Sequence, residues 1–370
     1  LLSLLSNIIL LPLIEAAIVL IVLGTVVMVL YLPAAKIILV VAALLLDAVL
    51  AINGFLAQTG WGYFVVAALP EGLIVIYYLL FAIIFSSWPA QPIQYLRPLA
   101  TGMLVFWLLG VLCLQNVREH NPRLHFIDVG QGDACLITGG AGQAVLIDTG
   151  GLGGSFDIGE RVLLPYLNYL GIARLDLLII SHAHTDHVAG AVGLAKNMRI
   201  NNLLLPACTD SPHLEQLRRY VPYAAVYTAA AGDKITVANW SFRVIHAPIL
   251  SSLDNDSLVV EAVHKQYKAL FTGDIDSGIE QKLSTRLSKI NILKVAHHGS
   301  AKSSETMFLQ SLQPELAVIS CGRGNRFGHP AAATLKRLRE VNAQVWRTDQ
   351  SGLITMELRA DKILVRPYLN

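Results

Sequence analysis

The sequence predicts two parts of different physical character: an all-α transmembrane segment over residues 1–115, then an α/β layered domain over residues 116–370. Three observations carry this division. Of the 28 Lys and Arg and 26 Asp and Glu residues in the chain, only Glu15, Lys36, Asp47, Glu71 and Arg97 precede Gln115. The same stretch holds several apolar runs close to the roughly 20 residues needed to cross a hydrocarbon core. After Gln115, short β-branched and aliphatic runs alternate with Gly-rich turns and helix-like stretches.

In the first part four spans are expected, at about Glu15–Tyr31, Ala35–Ile52, Gly72–Trp88 and Arg97–Gln115, with Leu1–Leu13 a further apolar or interfacial helix. Asn53–Glu71 carries Gly, Thr, Trp and Pro and reads as an interfacial loop. Glu15 and Asp47 lie at or within spans, either lining a polar passage or paired locally at helix ends. The first residue is not Met and is already apolar, so the chain is expected to begin inside a larger membrane protein. Several apolar cores in succession do not fit a cleaved signal peptide. Lys36 and Arg97 sit at junctions on one side, which the positive-inside rule makes cytoplasmic. Four spans then place everything after Gln115 on the extracytoplasmic side of the cell (inner) membrane.

The soluble part carries 26 Lys and Arg against 23 Asp and Glu, too mild an excess to argue nucleic acid from charge alone. Four cysteines, at 113, 135, 208 and 321, form no C-x-x-C pair and indicate buried thiols rather than a disulfide framework.

Strands are expected at Leu124–Asp128, Ala134–Thr138 and Ala144–Asp148, followed by a helix at about Gly159–Leu170 and a buried strand at Leu175–Ile180. Further strands are expected at Leu203–Leu205, Phe242–His246, Leu258–Val263, Ala269–Thr272, Ile292–Val295, Leu316–Ser320, Leu353–Leu358 and Lys362–Val365. Helices are expected near Val188, at His213–Tyr220, Ile279–Leu287, Glu305–Leu312 and Ala331–Val341.

The stretch "SHAHTDHVAG" follows the strand at Leu175–Ile180 and packs His182, His184, Asp186 and His187 into six positions. Imidazole and carboxylate donors on one turn suit Zn, or Mn where oxygen donors are more numerous. The spacing divides them into two sets, His182 with His184 and Asp186 with His187, as two neighbouring cations would need. "ALFTGDID" ends a strand at Asp274, an anionic oxygen able to bridge two cations, and "ILKVAHHGS" ends another at His297 and His298.

These motifs resemble the metallo-β-lactamase fold. "HFIDVGQGDACLI", "LIDTGG", "LKVAHHGSAKSS" and "NRFGHP" narrow the resemblance. With the preceding membrane segment, the chain is similar to the C-terminal part of ComEC-type DNA-internalisation competence proteins. The resemblance implies an αββα sandwich with a metal site at one edge. It also implies one divalent ion, Zn or Mn, on His182, His184 and a third ligand. A second ion would lie on Asp186, His187 and His297 or His298, with His298 preferred and Asp274 bridging. Asp148 would orient the loop. The family's usual third histidine is missing. Asn255 or Asp256 of "DNDSLVV", or His246, stands nearest to that place, so either one ion or two is expected.

In the chemistry that follows, Asp186 or Asp274 orients the nucleophile, and His297 and His329 serve the leaving oxygen. Ser300, Lys302, Arg323 and Arg326 contact phosphates, or are solvated loop residues. Asp128, Gln131 and Asp133 of "DVGQGD" shape a tight turn near the metals, in a structural role. His120, His125 and His264 lie off the site, and Arg218, Arg219, Lys336, Arg337 and Arg339 are solvated helix faces. The function the resemblance implies is DNA uptake: a membrane passage with a metal-dependent phosphodiesterase, a DNA receptor outside and a motor inside. The rivals are a membrane-anchored hydrolase of another ester, such as a cell-envelope phosphodiester, and a non-catalytic translocation module with a structural metal.

Overall fold

The computed structural model describes residues 2–58, 68, 71–85, 91–117, 121–140, 142–151, 156–207, 211–248 and 257–369. Two compact units divide the chain at Val65 and Val66.

The first unit holds helices α1 (Leu2–Leu30) and α2 (Leu32–Gln58), with the chain reversing at Tyr31. They meet through small residues. Ala17, Ala35 and Ala42 are buried, and a Cβ on Gly24 would lie 2.8 Å from Leu39 Cδ2. Without a hydrophobic gradient in lipid, helices associate by such close backbone approach. The remaining described surface is mostly aliphatic and exposed, with Glu15, Lys36 and Asp47 exposed on it as well. Ile9–Leu30 and Leu32–Leu56 are long and apolar enough to cross a membrane. Leu1–Leu13 is not a separate helix: α1 runs on through Pro12, which a membrane helix tolerates.

In the second unit, α3 (Glu71–Phe85) and α4 (Gln91–Val117) touch through Tyr77 and Trp107, whose rings are 5.7 Å apart. Among the described residues, the apolar stretches of these two helices are shorter than those of α1 and α2. They are Glu71–Phe85 and Tyr95–Gly110, while α4 itself continues as helix to Val117.

The rest of the second unit is four-layered. Its elements in order are β1 (Arg123–Phe126), β2 (Cys135–Thr138), β3 (Ala144–Ile147), a π-helical turn leading into α5 (Leu164–Tyr169), β4 (Arg174–Leu175), β5 (Leu177–Ile179), α6 (Thr185–Asn197), β6 (Arg199–Ile200), β7 (Asn202–Leu205), α7 (Pro212–Tyr220) and β8 (Ala225–Thr228). There follow β9 (Lys234–Val237), β10 (Trp240–His246), β11 (Val259–His264), β12 (Tyr267–Phe271), α8 (Ser277–Ser284), β13 (Ile292–Lys294), α9 (Thr306–Leu312), β14 (Leu316–Ile319), α10 (Ala332–Glu340), β15 (Gln344–Arg347), α11 (Thr348–Ser351), β16 (Ile354–Leu358) and β17 (Ile363–Pro367).

One sheet runs β17-β16-β1-β2-β3-β5-β7-β8 and the other β15-β14-β13-β12-β11-β10-β9. Phe126, Phe271, Val260 and Met356 fill the space between them. The outer face of the first sheet packs on Val188, Ala191 and Leu194 of α6, and that of the second on Phe308, Leu309 and Leu338 of α9 and α10. This is the αββα sandwich. Strands β8, β9 and β15 escaped the sequence reading. All four residues of β8 are exposed, so it has no apolar alternation to read.

What positions the site is the parallel half of each sheet. β3, β5, β7 and β8 run parallel, as do β12, β13, β14 and β15. Their C-terminal ends therefore gather on one edge, where parallel α/β sheets place functional loops.

Candidate metal centre

The ends of β3, β5, β12 and β13 each deliver donors to this edge. After β3 the backbone takes a left-handed turn at Asp148 (φ 57°), a conformation that Asp adopts more readily than most residues. Its carboxylate accepts hydrogen bonds from the Ser181 backbone N–H and hydroxyl, each at 2.7 Å, and contacts His187 Nδ1 at 2.9 Å. After β5, Ser181–His184 forms the turn and α6 begins, carrying Asp186 and His187 in its first turn. After β12, Gly273 (φ 54°) turns the chain against Ser257, and the Ser257 hydroxyl accepts the Asp274 N–H at 3.0 Å. After β13, His297 (φ 48°) and His298 (φ 53°) are both left-handed, which costs on the order of 1–3 kcal/mol each. The His297 N–H bonds the Gly273 carbonyl at 3.0 Å and holds that strained turn against the Asp274 loop.

Two donor groups at this edge, with ligand atoms all within 4.8 Å of one another, are Asp186, His187, Asp274 and His298, and His182, His184 and Asp274; a third, Asp133, Asp148 and His187, lies on the inner side of His187, where its Nδ1 is already taken by Asp148. Asp274 belongs to the first two. The hydrogen bonds fix which nitrogen faces inward. His298 Nδ1 lies 3.0 Å from the Ser320 carbonyl, which can only accept, so Nδ1 carries a proton and Nε2 points at the centre. The Ser181 hydroxyl donates to Asp148 and is therefore free to accept from His182 Nδ1 at 3.1 Å. His187 Nδ1–H donates to the Asp148 carboxylate. The Nε2 atoms of His182, His187 and His298, and Asp274 Oδ1, are then buried without a hydrogen-bond partner. Native interiors rarely leave such atoms unpaired unless an ion or a reaction takes them. Three imidazole nitrogens and the carboxylates of Asp186 and Asp274 are the donor chemistry of Zn or Mn, so the residues fit a divalent cation.

Electrostatics separates the histidines. Burial works against charge on His298, but Asp274 and Asp133 outweigh it and push its pKa up to about 10. His187 is raised in the same way against burial, by Asp274 and Asp148. His182 goes down, chiefly through burial and then through the neighbouring His187. For Asp274, burial opposes the negative form, but His187 and His298 hold the carboxyl well below its usual range.

Two buried residues beneath the centre were underweighted in the sequence. Asp133, expected to shape a turn near the metals, also bonds Lys294 Nζ at 2.6 Å and approaches His298 Nδ1 at 3.2 Å. Lys294 is itself buried and also donates to the Val295 carbonyl. The Gly-rich loop before Asp133 runs under the metal turn. A Cβ on Gly132 would stand 2.3 Å from the Asp186 carbonyl, and the Asp133 N–H bonds that same oxygen at 3.1 Å. In sequence, "DVGQGD" signalled a tight turn but could not show what the turn presses against.

The other expected site residues fall as follows. His297 Nε2 lies 3.8 Å from Asp274 Oδ2, with its side chain 26% exposed. His329 stands beside it, with ring centroids 5.7 Å apart. Lys302, Arg323 and Arg326 are exposed on neighbouring loops. Ser300 is corrected: it is buried, its hydroxyl accepts the Lys302 N–H and its carbonyl accepts the Thr334 hydroxyl, so it closes its own loop. His246 ends β10 and belongs to neither donor group. Asn255 and Asp256 lie outside the described residues. Arg337 is not a solvated face: it donates to the carbonyls of Ala301 and Ser303 and fastens the loop after His298. His125 and His264 are buried away from the centre, on Tyr166 and the Asn239 carbonyl.

The metallo-beta-lactamase superfamily model matches residues 127–323. ComE operon protein 3 of Bacillus subtilis is 33% identical over 276 residues, which is 69% of this chain and 35% of that protein. Competence protein ComA of Neisseria gonorrhoeae is 29% identical over 254 residues, 66% of this chain and 33% of that protein. The chain thus spans about a third of the length of these curated relatives, which are of the ComEC family. Among solved structures, Igni18 of Ignicoccus hospitalis, described as a metallo hydrolase, matches at 15% identity and a TM-score of 0.46, covering 64% of this chain and 100% of that one.

Proposed function

Because this chain belongs to the metallo-beta-lactamase superfamily, we propose that its α/β domain is a divalent-metal-dependent phosphodiesterase that cuts DNA during uptake through a membrane. The observation that carries the hydrolytic reading is the convergence of buried polar atoms without a hydrogen-bond partner, the three Nε2 atoms and Asp274 Oδ1, on one edge, where a cation would displace the protons that His187 and His298 otherwise hold. His182, His184 and Asp274 would hold one ion, and Asp186, His187, Asp274 and His298 a second. When bound, such ions supply Lewis acidity and a hydroxide nucleophile at neutral pH.

The chain's own residues do the rest. Asp148 and the Ser320 carbonyl hold His187 and His298 in the ligating tautomer. Asp186, partly exposed and reached by His298 Nε2 at 3.3 Å, stands where a water proton can be accepted. His297 and His329 would donate a proton or a hydrogen bond to the leaving oxygen. Lys302 and Arg323 neutralise flanking phosphates.

DNA as the substrate is supported by the kinship with a competence protein. Membrane residence is supported by the two long apolar helices. Two crossings or four return the chain to one side, and Lys36 at the α1–α2 reversal marks that turn as cytoplasmic. The α/β domain then lies outside the cytoplasm, with a DNA receptor there and a motor within.

The test is full-length chain in detergent, with Mn²⁺ or Zn²⁺ and labelled single-stranded DNA. Metal-dependent cleavage that is lost in the double variant His184→Ala, Asp186→Ala is expected. Cleavage surviving that double change would remove the site assignment, and no cleavage with either metal would remove the nuclease.

A further inference from the structure

We propose that Phe327 is a base-stacking platform that makes the metal centre select single-stranded over duplex DNA. The proposal deepens the phosphodiesterase reading above and rests on it. Phe327 is 54% exposed, although a ring of this size is normally among the first residues to be buried. It is held outward rather than left loose. Asn325 staples its loop with its whole side chain: Oδ1 accepts the N–H groups of Phe327 at 3.2 Å and His329 at 3.0 Å, and Nδ2 donates to the carbonyls of Gly322 at 2.9 Å and His329 at 2.6 Å. Arg323 Nε ties the same loop to the Asp349 carbonyl at 3.4 Å. A ring fixed in this way has already lost the conformational freedom that binding would otherwise remove.

The ring also points along a path to the chemistry. It lies nearly parallel to His329, with centroids 5.9 Å apart and planes at 25°. His329 in turn is 5.7 Å from His297 and 6.4 Å from His298. The Arg326 guanidinium sits 5.0 Å from the Phe327 centroid. The guanidinium lies over the ring face, so an incoming base would stack on the ring as Arg326 swings off it to the backbone phosphate, next to a phosphodiester-cutting centre, which is how proteins grip unpaired bases. A duplex offers no free base face, since its bases already stack on one another. Arg326 is therefore part of the base platform rather than an isolated phosphate contact.

The test is binding of a hydrolysis-resistant phosphorothioate oligonucleotide to the full chain with Mn²⁺, followed by fluorescence anisotropy. Three ligands are compared: single strand, the same strand with abasic positions, and blunt duplex. The wild-type protein is expected to bind the single strand about 5- to 150-fold more tightly than the abasic strand, the range that one base–aromatic stack covers. Phe327→Ala removes that difference and Phe327→Trp restores it. An equal preference in Phe327→Ala and wild type overturns the platform, as does tighter binding of duplex than of single strand. A base-dependent difference that tracks Phe327 in a protein that cleaves nothing supports the platform while removing the hydrolase, so the two readings fail separately.

Discussion

The two donor groups at the sandwich edge are held very differently. In the group of Asp186, His187, Asp274 and His298, each imidazole is buried and has its Nδ1 anchored, on Asp148 or on Ser320 and Asp133. In the group of His182, His184 and Asp274, only His182 is braced, through the Ser181 hydroxyl, while His184 is exposed at the N-cap of α6. Oriented imidazoles bind metal more tightly, because their tautomer and direction are set in advance. The braced group should therefore fill first and the other more weakly. Metal titration of the apo-protein is expected to show two unequal phases, and a single phase of two equal sites would break the comparison.

The largest effect should come from the residue the groups share. Asp274→Ala is expected to empty both, removing several kcal/mol of transition-state stabilisation, on the order of 10³-fold in turnover, with metal content by elemental analysis falling in step. Retention of two ions in that variant would rule out a bridging role. Next is the support beneath the braced group. Asp133→Asn leaves Lys294 buried without its carboxylate, and breaking a buried pair in this way costs about 3–5 kcal/mol, to be read as a lower midpoint in chemical denaturation. Asp148→Asn then tests orientation alone, with an expected loss of about 10- to 100-fold in metal affinity or activity. His184→Ala should weaken only the second, looser phase of the titration, and an equal loss in both phases would contradict the asymmetry.

At neutral pH, where the other variants are read, the weakest effect contrasts two buried histidines, and it emerges only as the solution is acidified. His298 is surrounded by carboxylates and is pushed up to about 10, whereas His125 has none. Burial, followed by the Arg123 charge, holds His125 down at about 3. An unfolded histidine titrates near 6.5, so the unfolded chain binds the extra proton first as pH falls. Stability should therefore decline from about pH 6.5 towards 3, and His125→Gln should flatten that part of the curve. A curve unchanged by the substitution would show that His125 does not contribute.

The sequence by itself determined the donors. His182, His184, Asp186 and His187 are legible because six consecutive positions on one turn must share a neighbourhood, and the layered class is legible because aliphatic runs alternate with turns. The apolar N-terminal helices were equally plain in composition, but their number and lengths were not, since hydropathy alone did not reveal that the stretch around Pro12 continues as one helix.

Only the tertiary structure decided how the donors are held. Asp133 and Lys294, or Asn325 and Phe327, sit in motifs legible in the sequence, but nothing local says what each one touches. Their meaning comes from partners brought together when the parallel strand ends of two sheets meet on one edge. A buried charge or a displayed ring is defined by what surrounds it, and residues distant in the chain supply those surroundings only after the sandwich closes.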